Sequence, residues 1–150
     1  MEFSQGVLGR FFLAKFDNED DVLKGFCALA KKRKIKSAVI ILLGAIRKGH
    51  LVTGPKKPVV PPEPNWLSFD QGWEVMGVGS IFSNASGPQV HLHCSMGKKR
   101  RMLTGCLRKE SRVFLVLEAF VFEIKGIDAN KDPDPKTGLN LLRLATGIRI

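Results

Sequence analysis

The sequence has no tyrosine, only three cysteines and no long hydrophobic run. Without tyrosine, any catalytic site lacks one common general acid. The longest apolar run, residues 38–46, is far shorter than the roughly 20 residues of a membrane-spanning helix, which excludes such a helix. The amino-terminal residues lack the pattern of a secretion signal. We therefore expect reduced cysteines, no disulfide framework and a cytoplasmic protein that contacts no membrane.

The sequence also lacks the motifs of several large enzyme and DNA-binding classes. It contains neither a phosphate-binding P-loop nor a nucleophile elbow of the Gly-x-Ser-x-Gly type. Gly77-Val78-Gly79 lacks the third glycine and the following helix of a dinucleotide-binding fingerprint. Only one amphipathic helix is predicted, which argues against a helix-turn-helix. No reaction class follows from these motifs, and whether the protein is an enzyme stays open.

Acidic residues are scarce: 14 Asp and Glu against 24 Lys and Arg give a net charge of +10. Such an excess favours polyanionic partners, namely nucleic acid, acidic proteins or anionic lipid. Much of the charge lies in two segments, the helix run and the turn run. The helix run is Lys31, Lys32, Arg33, Lys34 and Lys36, and the turn run is Lys98, Lys99, Arg100 and Arg101. The alternative is that the helix run is a solvated helix end and the turn run a solvated hairpin turn. The density of positive charge in the two runs nevertheless exceeds what helix capping requires.

The length and composition predict a single globular domain over residues 1–150, with 44% hydrophobic and 25% charged residues. The first half predicts a strand over residues 7–16 and a helix that is capped by Asp17-Asn18 and ends near Lys34. A buried strand over residues 37–46 follows, in which Gly44 indicates a bulge or a close backbone approach. Five prolines then make residues 53–64 a connector.

The second half predicts a series of antiparallel hairpins, because short turns separate its strands. The predicted strands are residues 73–82, 89–96, 101–107 and 112–124, followed by a polar loop over 128–137 and an apolar segment over 139–144 that docks on the sheet. The fold class is α+β, a mainly antiparallel β-sheet with one long helix packed on it. One helix cannot cover so large an apolar sheet, which indicates a face that needs a partner.

The His-x-His pattern at His91 and His93 is the clearest candidate for chemistry. Side chains two residues apart on a strand share a face, so both imidazoles can reach one metal ion. A hairpin turn centred on residues 99–100 places Cys106 directly opposite His93, on the same face. Two nitrogens and one sulfur suit zinc, and three protein ligands leave a fourth position open. The alternative is a half-exposed strand surface without metal, since His-x-His alone is a weak pattern.

Two further residues bear on this site. Glu118 lies within an otherwise apolar strand, where a carboxylate needs a partner or a raised pKa. It is a candidate for orienting a metal-bound histidine or for general-base catalysis, and the alternative is a salt bridge with Arg10 or Arg47. Cys94 has the opposite parity to His93 along the strand, so we expect its side chain to face away from the site.

Six segments, in their order and spacing, resemble the PPC domain, which is conserved in plants and prokaryotes and also occurs in AT-hook nuclear proteins. The segments are GRFFLAKF (9–16), SAVI through GAIR (37–47), VPPEP (60–64), VHLH (90–93), GCL (105–107) and VFLVLE (113–118). The resemblance covers about residues 6–144. It implies an α/β domain with a largely antiparallel sheet, a homotrimer, and a role in DNA binding or transcriptional regulation.

The resemblance also implies a metal site, because prokaryotic members carry His-x-His followed by Gly-Gly-His-Leu. His91 and His93 match this pattern, whereas Cys106 stands where histidine is usual. Cysteine also ligates zinc, so the site is either retained with a changed affinity or lost. The Arg-Gly-Arg-Pro arm that contacts the minor groove in the plant proteins is absent. DNA binding would therefore rest on phosphate contacts from the helix run and the turn run, without base readout.

Two main functional hypotheses remain. The first is a homotrimeric DNA-binding or regulatory module that uses its basic surface, and the net charge and the resemblance favour it. The second is a metal-dependent enzyme or small-molecule-binding protein centred on His91, His93 and Cys106, with Glu118 nearby. A scaffold without chemistry is the third alternative.

Overall fold

The computed structural model describes residues 1–145, 148 and 149, and these residues form eleven strands and one helix. In chain order they are β1 (Glu2–Phe3), β2 (Val7–Asp17), α1 (Val22–Arg33), β3 (Ser37–Pro55), β4 (Pro64–Phe69), β5 (Trp73–Asn84), β6 (Gly87–Lys98), β7 (Arg101–Leu107), β8 (Arg112–Lys125), β9 (Ala129–Asp134), β10 (Leu139–Leu144) and β11 (Ile148–Arg149). The prediction of a mostly antiparallel sheet with a helix is confirmed. Among the described residues, no helix is long and apolar enough to cross a membrane.

Nine of the strands form one sheet in the order β10-β9-β5-β6-β7-β3-β8-β2, and β4 pairs with β3 beside this path. β3 also pairs with β5, so β3, β5, β6 and β7 enclose a ring of paired strands. Among the described strands, only β5 and β9 pair in parallel, through a short contact at Ser83 and Asn130. β1 and β11 form a separate two-stranded ribbon.

β3 is nine residues longer than predicted, because it does not stop at Ile46 but turns and continues to Pro55. Its first half pairs with β5 and β8, and its second half pairs with β4 and β7. Of the two outcomes predicted at Gly44, a bulge or a close backbone approach, the structure has the close approach: the register with β8 does shift after Gly44, but the extra residues lie in β8, and the pairing of β3 with β5 is unbroken there. A Cβ at Gly44 would lie 2.6 Å from the Leu117 Cα atom, and its φ of +142° is unfavourable for other residues. Only glycine fits this bend without strain.

The helix is shorter than predicted, with 12 residues, and its amino-terminal cap is Asp21 instead of Asp17-Asn18. Asp17 remains paired in β2, and the Asn18 side chain accepts a hydrogen bond from the Leu115 backbone, so neither is free to begin the helix. The predicted carboxyl end is correct, because Lys34 caps the helix in a left-handed conformation. Three residues at helical spacing bury the inner face of α1 against the sheet: Val22, Phe26 and Ala30.

The proline-rich connector is shorter than predicted, because Pro55 and Pro64 already pair at the ends of β3 and β4. The polar loop predicted over residues 128–137 is wrong in part, since β9 forms within it. Alternating burial along Ala129–Asp134 supports this strand, although its sequence, ANKDPD, has no apolar alternation. The segment Leu139–Leu144 does pair with the sheet through β9, but most of its side chains are exposed.

The outer face of the sheet, opposite the helix, carries a group of exposed hydrophobic side chains that we call the apolar face. Its members are Phe11, Leu13, Ile41, Leu43, Met76 and Val78. They lie on neighbouring strands in register, since Ile41 pairs with both Phe120 and Val78, and Val78 pairs in turn with His93. Directly paired residues point to the same side of a sheet. The apolar face is therefore continuous with the strand surface that carries the two histidines.

An ion pair between a half-exposed arginine and a buried glutamate joins the edge strand β2 to β8. The Glu123 side chain is 7% exposed and accepts three hydrogen bonds from Arg10: from the backbone N at 3.1 Å, from Nε at 2.8 Å and from Nη2 at 2.7 Å. These hydrogen bonds lower the pKa of Glu123 to about 2, although burial acts in the opposite direction. Arg10 Nη2 also donates to the Arg33 carbonyl at 2.8 Å, so the same guanidinium holds the end of the helix.

We predict that acid weakens the fold through Glu123. Its folded-state pKa of about 2 lies below its ordinary value of 4.5, so its stabilising contribution is full above pH 4.5 and is lost as the pH falls towards 2. At pH 7 the Glu123→Gln variant should melt at least about 3 °C below wild type, the shift expected for roughly 1 kcal/mol in a domain of this size. Thermal unfolding measured from pH 7 to pH 2 gives the melting temperature of wild type and of Glu123→Gln at each pH. The two melting temperatures should converge towards pH 2.

The matched control is Glu74→Gln, which removes an exposed carboxyl group on β5. Its pH profile should follow that of wild type. Equal slopes for Glu123→Gln and wild type between pH 4.5 and 2 would contradict the assignment.

Candidate metal centre

The β6–β7 hairpin has the register that the sequence predicts. Lys98 pairs with Arg101, so the turn consists of Lys99 and Arg100, and His93 lies directly opposite Cys106. His91 lies two residues before His93 on the same face of β6, and both rings are exposed, whereas Cys106 is buried. The second half of β3 supports this hairpin from the other side, because Val52 pairs with Cys106.

The three side chains converge closely enough for one metal ion. Their ligand atoms all lie within 4.8 Å of one another, and the two histidine Nε2 atoms are 3.2 Å apart. In a tetrahedral zinc site with Zn–N near 2.05 Å and Zn–S near 2.3 Å, two nitrogens lie about 3.3 Å apart, and nitrogen and sulfur about 3.6 Å. The histidine pair thus already has the required spacing, and the thiol needs only a small movement. The donor set and its geometry fit zinc.

Protonation also favours ligation by the histidine. Loss of water around the His91 ring lowers its pKa to about 4, and the nearby charges of Lys131, His93 and Arg108 act in the same direction. His91 is therefore a neutral imidazole at pH 7, which is the form that binds metals. Burial raises the pKa of the Cys106 thiol, against the opposing effect of Arg108. A bound cation would displace the thiol proton, because coordination stabilises the thiolate.

The three candidate ligands line a cavity of about 500 Å³. Its remaining wall is mostly apolar and comes from the second half of β3, the proline-rich connector, β4, the residue after β7 and β10. Those residues are Val52, Gly54, Pro55, Pro62, Pro64, Trp66, Arg108 and Leu139. A volume of this size holds a small molecule, and such cavities usually combine apolar walls with a few polar groups.

A second, smaller cavity of about 250 Å³ is also lined by His91. His91, Arg108 and Leu139 line both cavities, while the smaller one adds Lys131 from β9 and the amides of Gln89 and Asn140. Sequence analysis missed both cations. Arg108 had a usable signal, since it follows Cys106 by two residues and so has the same parity. Lys131 had none, because it lies in the segment that lacked any strand pattern.

Glu118 is not part of this group. Glu118 pairs with Leu43 in the first half of β3, whereas Cys106 pairs with Val52 in the second half, and Glu118 does not belong to the group of converging ligand atoms. Glu118 is exposed, and neither predicted salt-bridge partner contacts it: Arg10 pairs with Glu123, and Arg47 with Glu19.

The other cysteines and histidine lie elsewhere. Cys94 is 1% exposed in the core on the opposite face, as its parity predicts, and its burial raises the pKa of the thiol to about 12. His50 lies near Glu110 with 3.8 Å between Nδ1 and Oε2. Within the described residues, only one group of three or more histidine, cysteine, aspartate or glutamate side chains is close enough to share a metal ion, and it consists of His91, His93 and Cys106.

The two basic runs lie at opposite ends of β6. Lys31 of the helix run reaches Gly87, where β6 begins, and the turn run starts at Lys98, where β6 ends. Eleven residues of strand separate these ends, which is about 35 Å. In the turn run, the Lys98 ammonium donates to the Gln71 carbonyl at 2.6 Å, and the Arg101 guanidinium lies 5.5 Å from the Trp73 ring. The runs do not form one continuous patch on a single chain.

Comparison with solved structures shows that the fold is shared by several proteins of similar length. A metal-containing protein from Archaeoglobus fulgidus has a TM-score of 0.83 at 23% identity, covering 95% of this chain and 99% of that one. A plant- and prokaryote-conserved protein from Pyrococcus horikoshii has a TM-score of 0.80 at 23% identity, covering 96% and 100%. A protein from Ralstonia eutropha JMP134, described provisionally as DNA-binding, has a TM-score of 0.74 at 19% identity, covering 88% and 90%.

Sequence comparison identifies the family directly. No curated protein matches the chain. The family model described as the Plants and Prokaryotes Conserved (PCC) domain matches residues 3–125, which is most of the chain and includes all three candidate metal ligands. This match confirms the resemblance noted in the sequence, and the chain belongs to the Plants and Prokaryotes Conserved domain family.

Proposed function

We propose that this protein is a metal-binding member of its family, in which His91, His93 and Cys106 hold one zinc ion. The observation that carries the proposal is the convergence of the three ligand atoms within 4.8 Å at the floor of a small-molecule-sized cavity. The fold similarity to a metal-containing archaeal protein gives further support. Three protein ligands leave one coordination position that faces the cavity, as in zinc sites that bind water or substrate.

The side chains define what this site can do. Bound zinc would supply Lewis acidity and a lowered pKa for a coordinated water. The paired strands hold His93 and Cys106 in fixed positions, so the site needs little rearrangement to bind an ion. The thiolate reduces the net charge at the centre and suits a borderline-soft metal such as zinc better than calcium or magnesium. The site is therefore suited to binding a small ligand or acting on it.

We predict that zinc binding depends on Cys106 but tolerates histidine at that position. Cys106→Ala should weaken zinc binding at least about 100-fold, because even loss of an indirect support to a metal ligand costs about 10- to 100-fold. Cys106→His should retain about one zinc per chain, since it restores the three-histidine pattern implied by the family resemblance. Elemental analysis of purified protein and competition with a chromophoric chelator measure stoichiometry and affinity.

The matched control is Cys94→Ala, which removes a core thiol from the opposite face and should leave zinc content unchanged. Loss of zinc in Cys94→Ala but not in Cys106→Ala would contradict the proposed ligand set. A wild-type protein that holds no stoichiometric metal after dialysis against micromolar zinc would refute the metal function itself.

DNA binding is the second candidate function. The net charge of +10 and the fold similarity to a protein described provisionally as DNA-binding support it. The contacts would come from the helix run and the turn run, through phosphates rather than base edges. Because the runs lie at opposite ends of β6, each would act as a separate phosphate contact.

We propose in addition that the chain assembles as a homotrimer through the apolar face. Large hydrophobic side chains there are strongly exposed, for example Met76 at 67%, Leu13 at 66% and Val78 at 61%. A contiguous exposed apolar surface of this kind is typical of an interaction site. Assembly would multiply the basic runs on one particle, and multivalency would raise the affinity for a long polyanion without adding sequence specificity.

We predict that DNA binding, if carried by the turn run, weakens steeply with salt. Replacing Lys98, Lys99, Arg100 and Arg101 together by glutamine should weaken duplex binding at least about tenfold at 100 mM salt. It should also lower the slope of log K against log salt by about 0.9 for each lost phosphate contact. Fluorescence anisotropy with two unrelated duplexes measures both.

The control variant neutralises four scattered exposed lysines, Lys24, Lys48, Lys57 and Lys136, and so has the same net charge. It should keep most of the affinity. A salt-independent affinity in wild type, or equal losses in the two variants, would count against a DNA contact at the turn run.

We predict that one charge on the apolar face prevents assembly. Wild type should have a solution mass of about 50 kDa, three times 16.6 kDa, whereas Val78→Lys should be monomeric, because a lysine cannot be buried there without a partner. Light scattering coupled to size exclusion measures the mass. Val59→Lys, at an exposed hydrophobic position in the connector, is the control and should stay trimeric. A monomeric wild type would refute the trimer.

A further inference from the structure

We propose that the two cavities beside the candidate metal centre together bind a small organic anion, whose carboxylate or phosphate group lies between Arg108 and Lys131 and whose apolar body lies against Trp66. The inference deepens the proposed metal-binding function and rests on it, because the bound ion would be the third positive centre facing the ligand. It assigns a ligand class to the cavities beside the candidate metal ligands. It also gives roles to two cations outside the metal-ligand pattern.

The first argument is the arrangement of the cavities. The 500 Å³ cavity and the 250 Å³ cavity share His91, Arg108 and Leu139 in their walls, so they adjoin at one candidate metal ligand and one guanidinium. Together they form one site with an apolar end and a polar end. A ligand that fills both would pass directly beside the candidate metal ligands.

The second argument is uncompensated positive charge. The Lys131 side chain belongs to a residue that is only 8% exposed, and neither Lys131 nor Arg108 has an acidic partner within 4 Å among the described residues. Among the residues that the structure describes, no aspartate or glutamate lines either cavity. A zinc ion with one thiolate would add a net single positive charge to these two cations. Because buried charges are normally paired, these unpaired cations favour the binding of an anion that is not part of the chain.

The third argument is the chemistry of the walls. An arginine guanidinium binds a carboxylate or phosphate through two parallel hydrogen bonds, and a neighbouring ammonium adds a further donor. Val52, Pro62, Pro64 and Trp66 give the larger cavity an apolar wall, and the two prolines restrict its backbone. A fully hydrated inorganic ion would leave this wall unused. The arrangement therefore favours an acid with an apolar or aromatic body.

The test uses benzoate, phenyl phosphate and the neutral isostere benzamide as probes of zinc-loaded full-length protein. Isothermal titration calorimetry gives the affinities, and fluorescence of a Trp73→Phe variant, in which Trp66 is the remaining tryptophan, reports occupancy of the larger cavity. At least one of the two anions should bind about tenfold or more tightly than benzamide, and the tighter one identifies the acidic group. Arg108→Gln and Lys131→Met should each weaken that anion about tenfold or more while zinc content stays unchanged.

Lys136→Gln is the matched control, because it removes the same charge from the exposed β9–β10 turn and should change affinity less than twofold. Arg108 is partly exposed, so its variant remains informative if Lys131→Met does not fold. Equal binding of benzamide and the anions, or an unchanged affinity in Arg108→Gln, would overturn the inference.

The outcomes also separate this inference from the proposed function. Stoichiometric zinc without anion binding overturns the anion site and leaves the metal centre standing. If wild type holds no zinc, the proposed metal function is wrong. The same titration of metal-free protein then tests the anion site independently of zinc. Arg108-dependent binding there would support a site built from the two cations, and no binding would overturn it.

Discussion

The bend of β3 is the constraint on which the rest of the structure depends. This one strand pairs with β4, β5, β7 and β8, so its direction sets the positions of most of the sheet. Gly44 permits β3 to lie close against β8, because any side chain there would collide with the backbone of β8. Beyond the turn, β3 reaches the β6–β7 hairpin and places Val52 beside Cys106. The candidate metal centre thus depends on backbone geometry at Gly44, eight residues before Val52.

The outer surface of the sheet carries both the exposed apolar side chains and the candidate metal ligand His93. The row that begins with exposed apolar side chains at Leu13 and Ile41 continues through Val78 to His93. The core lies entirely on the other side, where the helix packs. Because the strands are in register, the proposed assembly surface and the proposed metal centre lie on one face. A substitution in the proposed assembly surface therefore lies next to the proposed metal centre.

The sequence predicted the parts of the site that depend on strand parity and hairpin register. Counting from the turn at residues 99–100 places Cys106 opposite His93, and the period of two excludes Cys94. Arg108 could have been found by the same rule. Lys131 could not, because β9 forms by pairing with neighbours rather than by its own pattern. The helix length and its cap were also wrong, because Asp17 and Asn18 are engaged by β8, a contact with residues almost 100 positions away.

The placement of the basic runs at the two ends of β6 has a geometric consequence for any duplex that lies along this strand. The separation of about 35 Å is close to one turn of B-form DNA, which is about 34–36 Å. Phosphates one turn apart point to the same side of the duplex, so both runs would meet the backbone from one direction. If the protein binds DNA in this way, a duplex shorter than about ten base pairs would reach the basic residues at only one end of β6.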